Sequence, residues 1–238
     1  MIWFFDLDNT LHDASHRVFP AINANMNAFI AGVLADAGLP AEADAVNAAR
    51  IGYLRRYGAT LLGMVRHHQV SPAAFLEAAH RFDDLPSMLR ADRCMPRLLA
   101  SFPGQKILLT NAPRRYAHDV LRHFGLQRAF SQHIAIESMQ VHGRLQPKPS
   151  KALLRKLLAR ARVPARRCVL VEDTLANLKA ARALGMRTVW ITGYLKGGLS
   201  TGGNAVDISK TRKRPGYVDV KVQSVRQLFD SLPRLVPK

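Results

Sequence analysis

The chain has 238 residues, of which 48% are hydrophobic and 22% are charged. This composition excludes a wholly disordered chain, and the length suits one good-sized core with a smaller accessory unit. Lys and Arg total 35 against 17 Asp and Glu, so the formal net charge of +18 favours anionic partners, either nucleic acid or a small phosphorylated molecule.

The apolar stretch at the N-terminus is short, because Asp6 ends it after residues 1–5 and no basic region precedes it. No other apolar run approaches the length of a membrane-spanning helix, so we expect neither a signal peptide nor an anchor. Two cysteines, Cys94 and Cys168, lie far apart, and a buried free thiol is the expectation for Cys168. These features predict a cytoplasmic protein with no membrane partner.

Four short apolar runs end in polar residues, which is the pattern of buried parallel strands. Segments with helical patterns separate the later runs from one another. Because strands alternate with helices, the sequence predicts an α/β fold with a Rossmann-like parallel sheet as its core. The predicted strands are 2–5, 106–109, 169–171 and 188–191, and the predicted helices are 114–124, 151–161 and 175–184.

Residues 14–85 break this alternation, because they contain several helical patterns and no convincing strand. We therefore predict a helical cap over 14–85, inserted into a catalytic core made of residues 1–13 and 86–238. Within the cap, a serine followed by a proline at 71–72 predicts the start of a helix that reaches about residue 81.

The C-terminal part begins with residues 193–216, which are rich in glycine and basic residues and predict a loop. A last strand is predicted at 217–222 and a last helix at 225–232. The loop contains a basic run, which is typical of a solvated surface, although contact with nucleic acid stays open. This run consists of Lys210, Arg212, Lys213 and Arg214.

Polar side chains follow three of the predicted strands at the point where each strand ends. In an open parallel sheet the carboxyl ends of the strands meet at one edge, where binding sites form. Several carboxylates at one edge repel each other unless a cation lies among them, and oxygen ligands of this kind suit Mg²⁺. The residues concerned are Asp6 and Asp8, Thr110 and Asn111, and Glu172 and Asp173.

This set of residues has a chemical use. A carboxylate beside a cation is a competent nucleophile toward phosphorus, and a second carboxyl two residues later can donate a proton to the departing oxygen. Thr110 and Asn111 offer donors to phosphoryl oxygens. Lys148, between two prolines and ahead of a helix, can neutralise the charge of a transferring phosphoryl group.

Four ordered segments resemble the motifs of the haloacid dehalogenase superfamily. They are Asp-Leu-Asp-Asn-Thr at 6–10, Thr-Asn at 110–111, Lys-Pro at 148–149, and Glu-Asp at 172–173 with Asn177. The resemblance implies a nucleophile at Asp6, a general acid and base at Asp8, phosphate ligands at Thr110 and Lys148, and a metal ligand at Asp173. It also implies Mg²⁺, held in addition by the Asp6 carboxylate and the Asp8 backbone carbonyl.

Asp8 favours the phosphatase branch, because the namesake dehalogenases lack that aspartate, and a helical insertion after the first motif is similar to the cap of subfamily I. Within this branch the chain resembles the pyrimidine 5′-nucleotidases, through the first motif, residues 53–60 and residues 110–115. The implied substrate is a nucleoside monophosphate such as UMP or CMP. Its implied contacts are Asn111, Arg114, Tyr53, Arg56 and Tyr57.

Some features of the sequence leave alternatives open. His12 stands where a tyrosine is usual, and the basic loop is longer than expected for the nucleotidases. Tyr53 and Tyr57 lie four residues apart on a predicted helix, so core packing competes with stacking on a base. A phosphatase for sugar phosphates or phosphoglycolate has the same mechanism, and a basic nucleic-acid-binding protein on the same fold is a third hypothesis.

Overall fold

A computed structural model describes residues 1–195, 213–232 and 235 of the chain. Six strands in this part form a parallel sheet, and a separate two-stranded antiparallel hairpin lies beside it. From edge to edge the sheet contains Gln132–Ile134 (β3), Gln105–Leu109 (β2), Ile2–Phe5 (β1), Cys168–Glu172 (β6), Arg187–Ile191 (β7) and Val220–Val222 (β8); the hairpin pairs Gln140–Val141 (β4) with Arg144–Leu145 (β5).

The central strand β1 explains why its sequence is apolar throughout. Trp3 and Phe5 pack into one hydrophobic cluster, whereas Ile2 and Phe4 pack into a second cluster on the opposite face of the sheet. A strand that is buried on both faces needs apolar side chains at every position. The polar residues that follow Phe5 therefore mark the point where the chain leaves the sheet.

Helices cover both faces of this sheet, as expected for a doubly wound fold, and the predicted α/β class is confirmed. The helix that begins at Lys151 starts as predicted, because Ser150 Oγ accepts a hydrogen bond from the Leu153 amide at 3.2 Å. The core helices are Met95–Ser101 (α6), Arg114–His123 (α7), Lys151–Ala161 (α8), Leu175–Arg182 (α9) and Val225–Asp230 (α10).

A helical insertion separates β1 from β2, and it contains no strand. Ser71 caps its fourth helix, which ends two residues before the predicted position. The predicted cap limits, residues 14 and 85, stay a prediction. The helices between the two strands and ahead of α6 are Val18–Asp36 (α1), Ala43–Tyr57 (α2), Thr60–His68 (α3), Pro72–Ala79 (α4) and Leu85–Met88 (α5).

Helix α1 is long and apolar enough to cross a membrane by length and composition, a property that the sequence analysis did not anticipate. Its buried residues recur every three or four positions, which is the pattern of a helix that packs on one side. Among them, Phe19, Ile22 and Met26 line the cavity described below. Packing inside the insertion therefore accounts for its apolar character.

Several short elements were missed or misplaced by the sequence. Strand β3 is three residues long at the sheet edge, and each strand of the β4–β5 hairpin has two residues, so neither forms an apolar run. The last strand covers only Val220–Val222, and the last helix ends at Asp230. Most of the predicted basic loop, 196–212, lies outside the described residues.

Helices α2 and α3 pack closely because Gly63 has no side chain. A Cβ atom at Gly63 would overlap the ring of Tyr53. We expect Gly63→Ala to lower the free energy of unfolding by about 1–3 kcal/mol, since the two helices must separate or the ring must move. Urea unfolding followed by circular dichroism measures this loss.

Gly52→Ala is the matched control, because Gly52 is exposed in α2 and has open space around it. The same change there should be neutral or stabilise the protein by up to about 1 kcal/mol, since alanine favours a helix over glycine. Equal effects at the two glycines would contradict the close packing of α2 on α3.

Candidate active site

The carboxyl edge of the sheet brings the predicted residues together. Asp6 follows β1 directly and its amide donates to Val171 O at 3.0 Å, while Thr110 follows β2 and Glu172 ends β6. These three residues and Asp8, Lys148 and Asp173 line a cavity of about 570 Å³ between the sheet edge and the helical insertion. A cavity of this size can hold a small organic phosphate.

Lys148 is a buried cation between two buried carboxylates. Its Nζ donates to Asp6 Oδ1 at 2.6 Å and to Glu172 Oε2 at 2.7 Å. Burial alone would lower the pKa of Lys148, but the charges of Asp6 and Glu172 outweigh burial and raise the pKa. Because an ammonium group has three N–H donors, one donor remains for a phosphoryl oxygen.

The backbone of Lys148 is fixed by Asn111. The Asn111 side chain donates to Lys148 O and accepts from Lys148 N, both at 2.9 Å. Its amide nitrogen is thus directed at the backbone of Lys148, but Asn111 also lines the cavity, so its predicted contact with the substrate stays a prediction. Thr110 is different, because its Oγ1 accepts from the Ala112 amide at 3.0 Å and its hydroxyl hydrogen stays available to a phosphoryl oxygen.

Glu172 is fully buried, and both of its oxygens are in use. Oε2 accepts from Lys148 and from Asn177 Nδ2, whereas Oε1 accepts from the amides of Asp173 and Thr174 at the start of α9. Burial alone would raise the pKa of Glu172, but Lys148 and these donors lower it. The contacts favour Glu172 as the residue that orients Lys148, and its predicted role as a metal ligand stays a prediction.

Three carboxyl groups are close enough to share a cation. One oxygen each from Asp6, Glu172 and Asp173 lies within 4.8 Å of the others. Burial and the charge of Glu172 raise the pKa of Asp6 and of Asp173, because the single ammonium of Lys148 does not neutralise all three groups. Carboxylate oxygens are the ligands that Mg²⁺ prefers, so this donor set fits that ion.

Asp8 is held by two side chains outside the cavity. Its Oδ1 accepts from Tyr116 Oη at 2.6 Å and from His12 Nε2 at 2.9 Å. Burial alone would raise the pKa of Asp8, but these hydrogen bonds lower it. Oδ2 has no protein partner among the described residues, so one oxygen of Asp8 is free to exchange a proton with a substrate.

A sharp turn after Asp8 makes this arrangement possible. Asn9 has a φ of 56°, in the left-handed region that asparagine tolerates better than most residues. Its side chain accepts from the Ser15 amide at 3.0 Å and donates to Ser15 Oγ at 2.8 Å. The turn returns the chain so that His12 reaches Asp8.

The insertion closes the cavity from above. Arg56 and Tyr57, two of the predicted substrate contacts, line the cavity together with Arg55. Gly58 follows the last residue of α2 and has a φ of 80°, and a Cβ atom there would lie 3.2 Å from Pro149 Cδ. The insertion therefore contacts the core next to Lys148.

The two predicted tyrosines have different positions. Tyr53 does not line the cavity, because its ring packs against Gly63 and its hydroxyl lies 2.6 Å from His68 Nε2. The Tyr57 ring has the guanidinium groups of Arg56 and Arg66 at 5.5 and 5.8 Å from its centroid. For Tyr53, the alternative of packing within the insertion describes the geometry better than stacking on a base.

Arg114, also predicted to meet the substrate, does not reach the cavity. It is exposed at the start of α7, where its amide donates to the Glu137 carboxylate at 2.9 and 3.1 Å and its Nη2 donates to Ser138 Oγ at 3.2 Å. Arg114 lies on the exposed side of α7, opposite the residues that the helix buries. Tyr116 lies on that buried side and takes the inward position.

A comparison with family models decides the affiliation of the chain. Residues 2–185 match the model described as haloacid dehalogenase-like hydrolase. The chain belongs to the haloacid dehalogenase-like hydrolase family. The match covers β1, the helical insertion, and the segments that hold Lys148 and Glu172, so the predicted superfamily is confirmed.

Solved structures with similar folds include an HAD phosphatase from Thermococcus onnurineus, with 16% identity, a TM-score of 0.60 and 97% of each chain covered. A putative β-phosphoglucomutase from Thermotoga maritima has 19% identity, a TM-score of 0.57 and 99% of each chain covered. A putative phosphoglycolate phosphatase from Lactobacillus plantarum has 14% identity and a TM-score of 0.57, covering 96% of this chain and 97% of its own. At such identities the likeness shows the fold alone.

Two residues of this hydrolase site were missed by the sequence analysis. Tyr116 lies on α7 and bonds to Asp8, 108 positions earlier in the chain. His80 follows α4 and lines the cavity. The apolar pattern of α7 indicates that Tyr116 faces inward, but no local pattern identifies Asp8 as its partner.

The central ion pair gives a prediction that does not depend on any substrate. Lys148→Met leaves Asp6 and Glu172 buried without their cation, so we expect the free energy of unfolding to fall by about 3–5 kcal/mol. Adding Glu172→Gln to Lys148→Met should recover part of this loss, because one unpaired charge is removed. Urea unfolding in the presence of a chelator measures both effects.

The exposed Lys151 provides the matched control for this experiment. Lys151→Met should change the stability by less than about 0.5 kcal/mol, because a surface substitution removes no buried partner. A small effect of Lys148→Met, comparable with that of the control, would show that the buried pair does not hold the sheet edge together.

Proposed function

We propose that this hydrolase removes phosphate monoesters through an aspartyl-phosphate formed on Asp6, with Mg²⁺ as cofactor, and that it acts on pyrimidine nucleoside 5′-monophosphates. The phosphatase proposal rests on the arrangement of charged groups where the cavity meets the edge of the sheet. There the Asp6 carboxylate lies 2.6 Å from the buried ammonium of Lys148, and Asp8 Oδ2 has no partner in the part of the chain that the structure describes.

In the first step an Asp6 oxygen attacks phosphorus, and the bond between phosphorus and the ester oxygen breaks. Lys148 and Thr110 donate hydrogen bonds to the phosphoryl oxygens, so the negative charge of the transferring group meets fixed donors. The cavity holds the phosphoryl group beside Asp6 and spares the enzyme the entropy cost of bringing the two together during reaction.

The departing oxygen receives its proton from Asp8. In the free protein the hydrogen bonds from His12 and Tyr116 lower the pKa of Asp8, so the carboxylate form predominates. A phosphoryl dianion beside Asp8 raises that pKa, because a neighbouring negative charge disfavours a second one. The substrate thus helps to protonate the acid that releases its alcohol.

In the second step Asp8, now ionised, takes a proton from a water molecule, and the water oxygen attacks the phosphorus of the aspartyl-phosphate. The bond between phosphorus and the Asp6 oxygen breaks, and inorganic phosphate leaves. Asp8 therefore acts as general acid in the first step and as general base in the second. Tyr116 and His12 keep its carboxyl group in position throughout.

Asp6 and Asp173 are the residues that would hold Mg²⁺, because the oxygens of Glu172 are already engaged. Bound there, the ion would supply positive charge beside the carboxylates and the phosphoryl oxygens, which lets one anion approach another. The raised pKa of Asp6 and Asp173 in the absence of a cation supports this assignment.

The upper end of the cavity supports a nucleoside as the leaving group. Its wall is apolar where α1, α3 and α4 meet, and Arg55, Arg56 and Tyr57 add polar groups at the end of α2. An apolar wall with a few polar groups suits a flat heterocycle joined to a sugar. The apolar lining residues are Phe19, Ile22, Met26, Leu61, Phe75, Leu76 and Ala79.

A second candidate substrate class is a sugar phosphate or phosphoglycolate. Arg55 and Arg56 in the cavity lining favour it, since they suit a carboxylate or a second anionic group. Two solved structures with similar folds, a putative β-phosphoglucomutase and a putative phosphoglycolate phosphatase, also support this class as the alternative. The apolar wall has no partner in so small a leaving group, so we favour the nucleotide.

Asp6→Asn tests the nucleophile. We expect phosphate release from UMP and from p-nitrophenyl phosphate to fall to the detection limit, because an amide cannot attack phosphorus. The exposed Asp36→Asn is the control and should keep its activity. Circular dichroism spectra of both variants should match the wild type, and substantial turnover by a folded Asp6→Asn protein would refute the aspartyl-phosphate.

Substrate preference tests the leaving group. UMP and CMP should have higher kcat/KM than AMP and GMP, because we propose that the apolar wall accommodates one ring and rejects a second. Phe75→Leu replaces a ring in that wall by a smaller side chain and so enlarges the cavity. It should raise kcat/KM for AMP relative to UMP by about tenfold. Phe29 contacts Phe75 at a ring distance of 5.4 Å but does not line the cavity, so Phe29→Leu should leave the ratio unchanged.

Other outcomes identify the alternatives. A wild-type preference for ribose 5-phosphate or phosphoglycolate over UMP would replace the nucleotide by the second candidate class and leave the phosphatase mechanism in place. A preference for purine nucleotides would show that the apolar wall does not exclude a second ring.

A further inference from the structure

One polar side chain in the upper cavity has no role in the chemistry described so far. His80 follows the last residue of α4 and lines the cavity beside apolar residues of that helix, Phe75, Leu76 and Ala79. A polar ring in an apolar wall costs free energy unless it finds a hydrogen-bond partner. The arrangement of its two nitrogens shows what kind of partner it fits.

The first nitrogen fixes the tautomer. His80 Nδ1 lies 3.0 Å from Leu76 O, and a carbonyl oxygen can only accept, so Nδ1 carries the hydrogen. Burial lowers the pKa of His80, which keeps the ring neutral. A neutral imidazole with its hydrogen on Nδ1 has a lone pair on Nε2.

The second nitrogen is available to a ligand. Nε2 has no hydrogen-bond partner among the described residues, and it is not among the buried polar atoms that are sealed without one. The hydrogen bond to Leu76 O orients the ring, and the rings of Tyr116 and Phe82 lie next to it, with centroids 5.3 and 6.4 Å from its own. His80 therefore presents a fixed acceptor in the cavity.

The position of His80 shows which part of a substrate it meets. Tyr116, which contacts the His80 ring, is the residue that donates to Asp8 Oδ1. Asp8 stands where the ester oxygen departs, so His80 lies on the leaving-group side of that oxygen. Lys148 and Thr110 serve the phosphoryl side and do not compete for the same group.

Resting on the proposed phosphatase function, we infer that His80 Nε2 accepts a hydrogen bond from a hydroxyl group of the leaving alcohol. This makes His80 a specificity residue for sugar-like leaving groups, whether the ribose of a nucleotide or a free sugar. An acceptor also disfavours leaving groups that place an acceptor or a carboxylate at this point, since two lone pairs would face each other.

The test compares substrates with and without the hydroxyl groups. The two pairs are UMP with 2′,3′-dideoxyuridine 5′-monophosphate, and ribose 5-phosphate with 2,3-dideoxyribose 5-phosphate. In the wild type the hydroxylated member should have the higher kcat/KM, by about two- to tenfold for one neutral hydrogen bond. In His80→Phe this ratio should fall to about one.

The ratio within each pair cancels any general loss of activity or stability. His80→Gln keeps an acceptor near the Nε2 position and should restore part of the ratio. Phe82→Leu is the matched control, because Phe82 contacts the His80 ring but does not line the cavity, so the ratio should stay at the wild-type value.

The outcomes separate this inference from the proposed substrate. If UMP is no better than ribose 5-phosphate, the nucleotide assignment fails, while the sugar pair still reports on His80. A wild-type ratio near one in both pairs, or an unchanged ratio in His80→Phe, overturns the role of His80 even if UMP proves to be the preferred substrate.

Discussion

The ammonium of Lys148 is the interaction on which the rest of the site depends, because it joins Asp6 after β1 to Glu172 at the end of β6. Asp6 and Glu172 are buried, Asp173 is half-buried, and oxygens of all three lie within 4.8 Å of one another, so the one ammonium of Lys148 does not balance their charges. The excess negative charge favours binding of a divalent cation. The ammonium of Lys148 also stabilises the negative charge of the Asp6 carboxylate. The same cluster of charged residues therefore affects both the stability of the fold and the proposed reaction.

Much of the core could be predicted because its strands are buried on both faces. Apolar runs that end in polar residues identify β1, β2, β6 and β7, and the switch to polar residues identifies the edge where the site forms. The edge strand β3 and the β4–β5 hairpin were not predicted, because short and largely exposed strands show no periodic pattern of apolar residues. Their pairing is decided by neighbours far away in the chain.

The sequence identified most residues of the candidate site, but it did not show which of them contact one another. Lys148 and Asp6 are 142 positions apart, and only the motif order suggested that they meet. Asn111 lines the cavity as expected of a substrate contact, but its side chain also holds the backbone of Lys148, because its amide nitrogen and oxygen match the C=O and the N–H of that one residue. Arg114 was expected to point into the cavity, but it begins a helix whose buried side is occupied by Tyr116. Sequence spacing alone did not show which side of this helix faces the core.

The contact at Gly58 has a mechanical consequence. The backbone of the insertion lies close to Pro149, the residue after Lys148, so a side chain at Gly58 would be tightly packed against the proline ring. A leaving group too large for the upper cavity would have to displace the end of α2, and with it this contact, so the fit of the alcohol and the position of Pro149 would be coupled. Because Pro149 directly follows Lys148, such a displacement would reach the residue that we propose to contact the phosphoryl group.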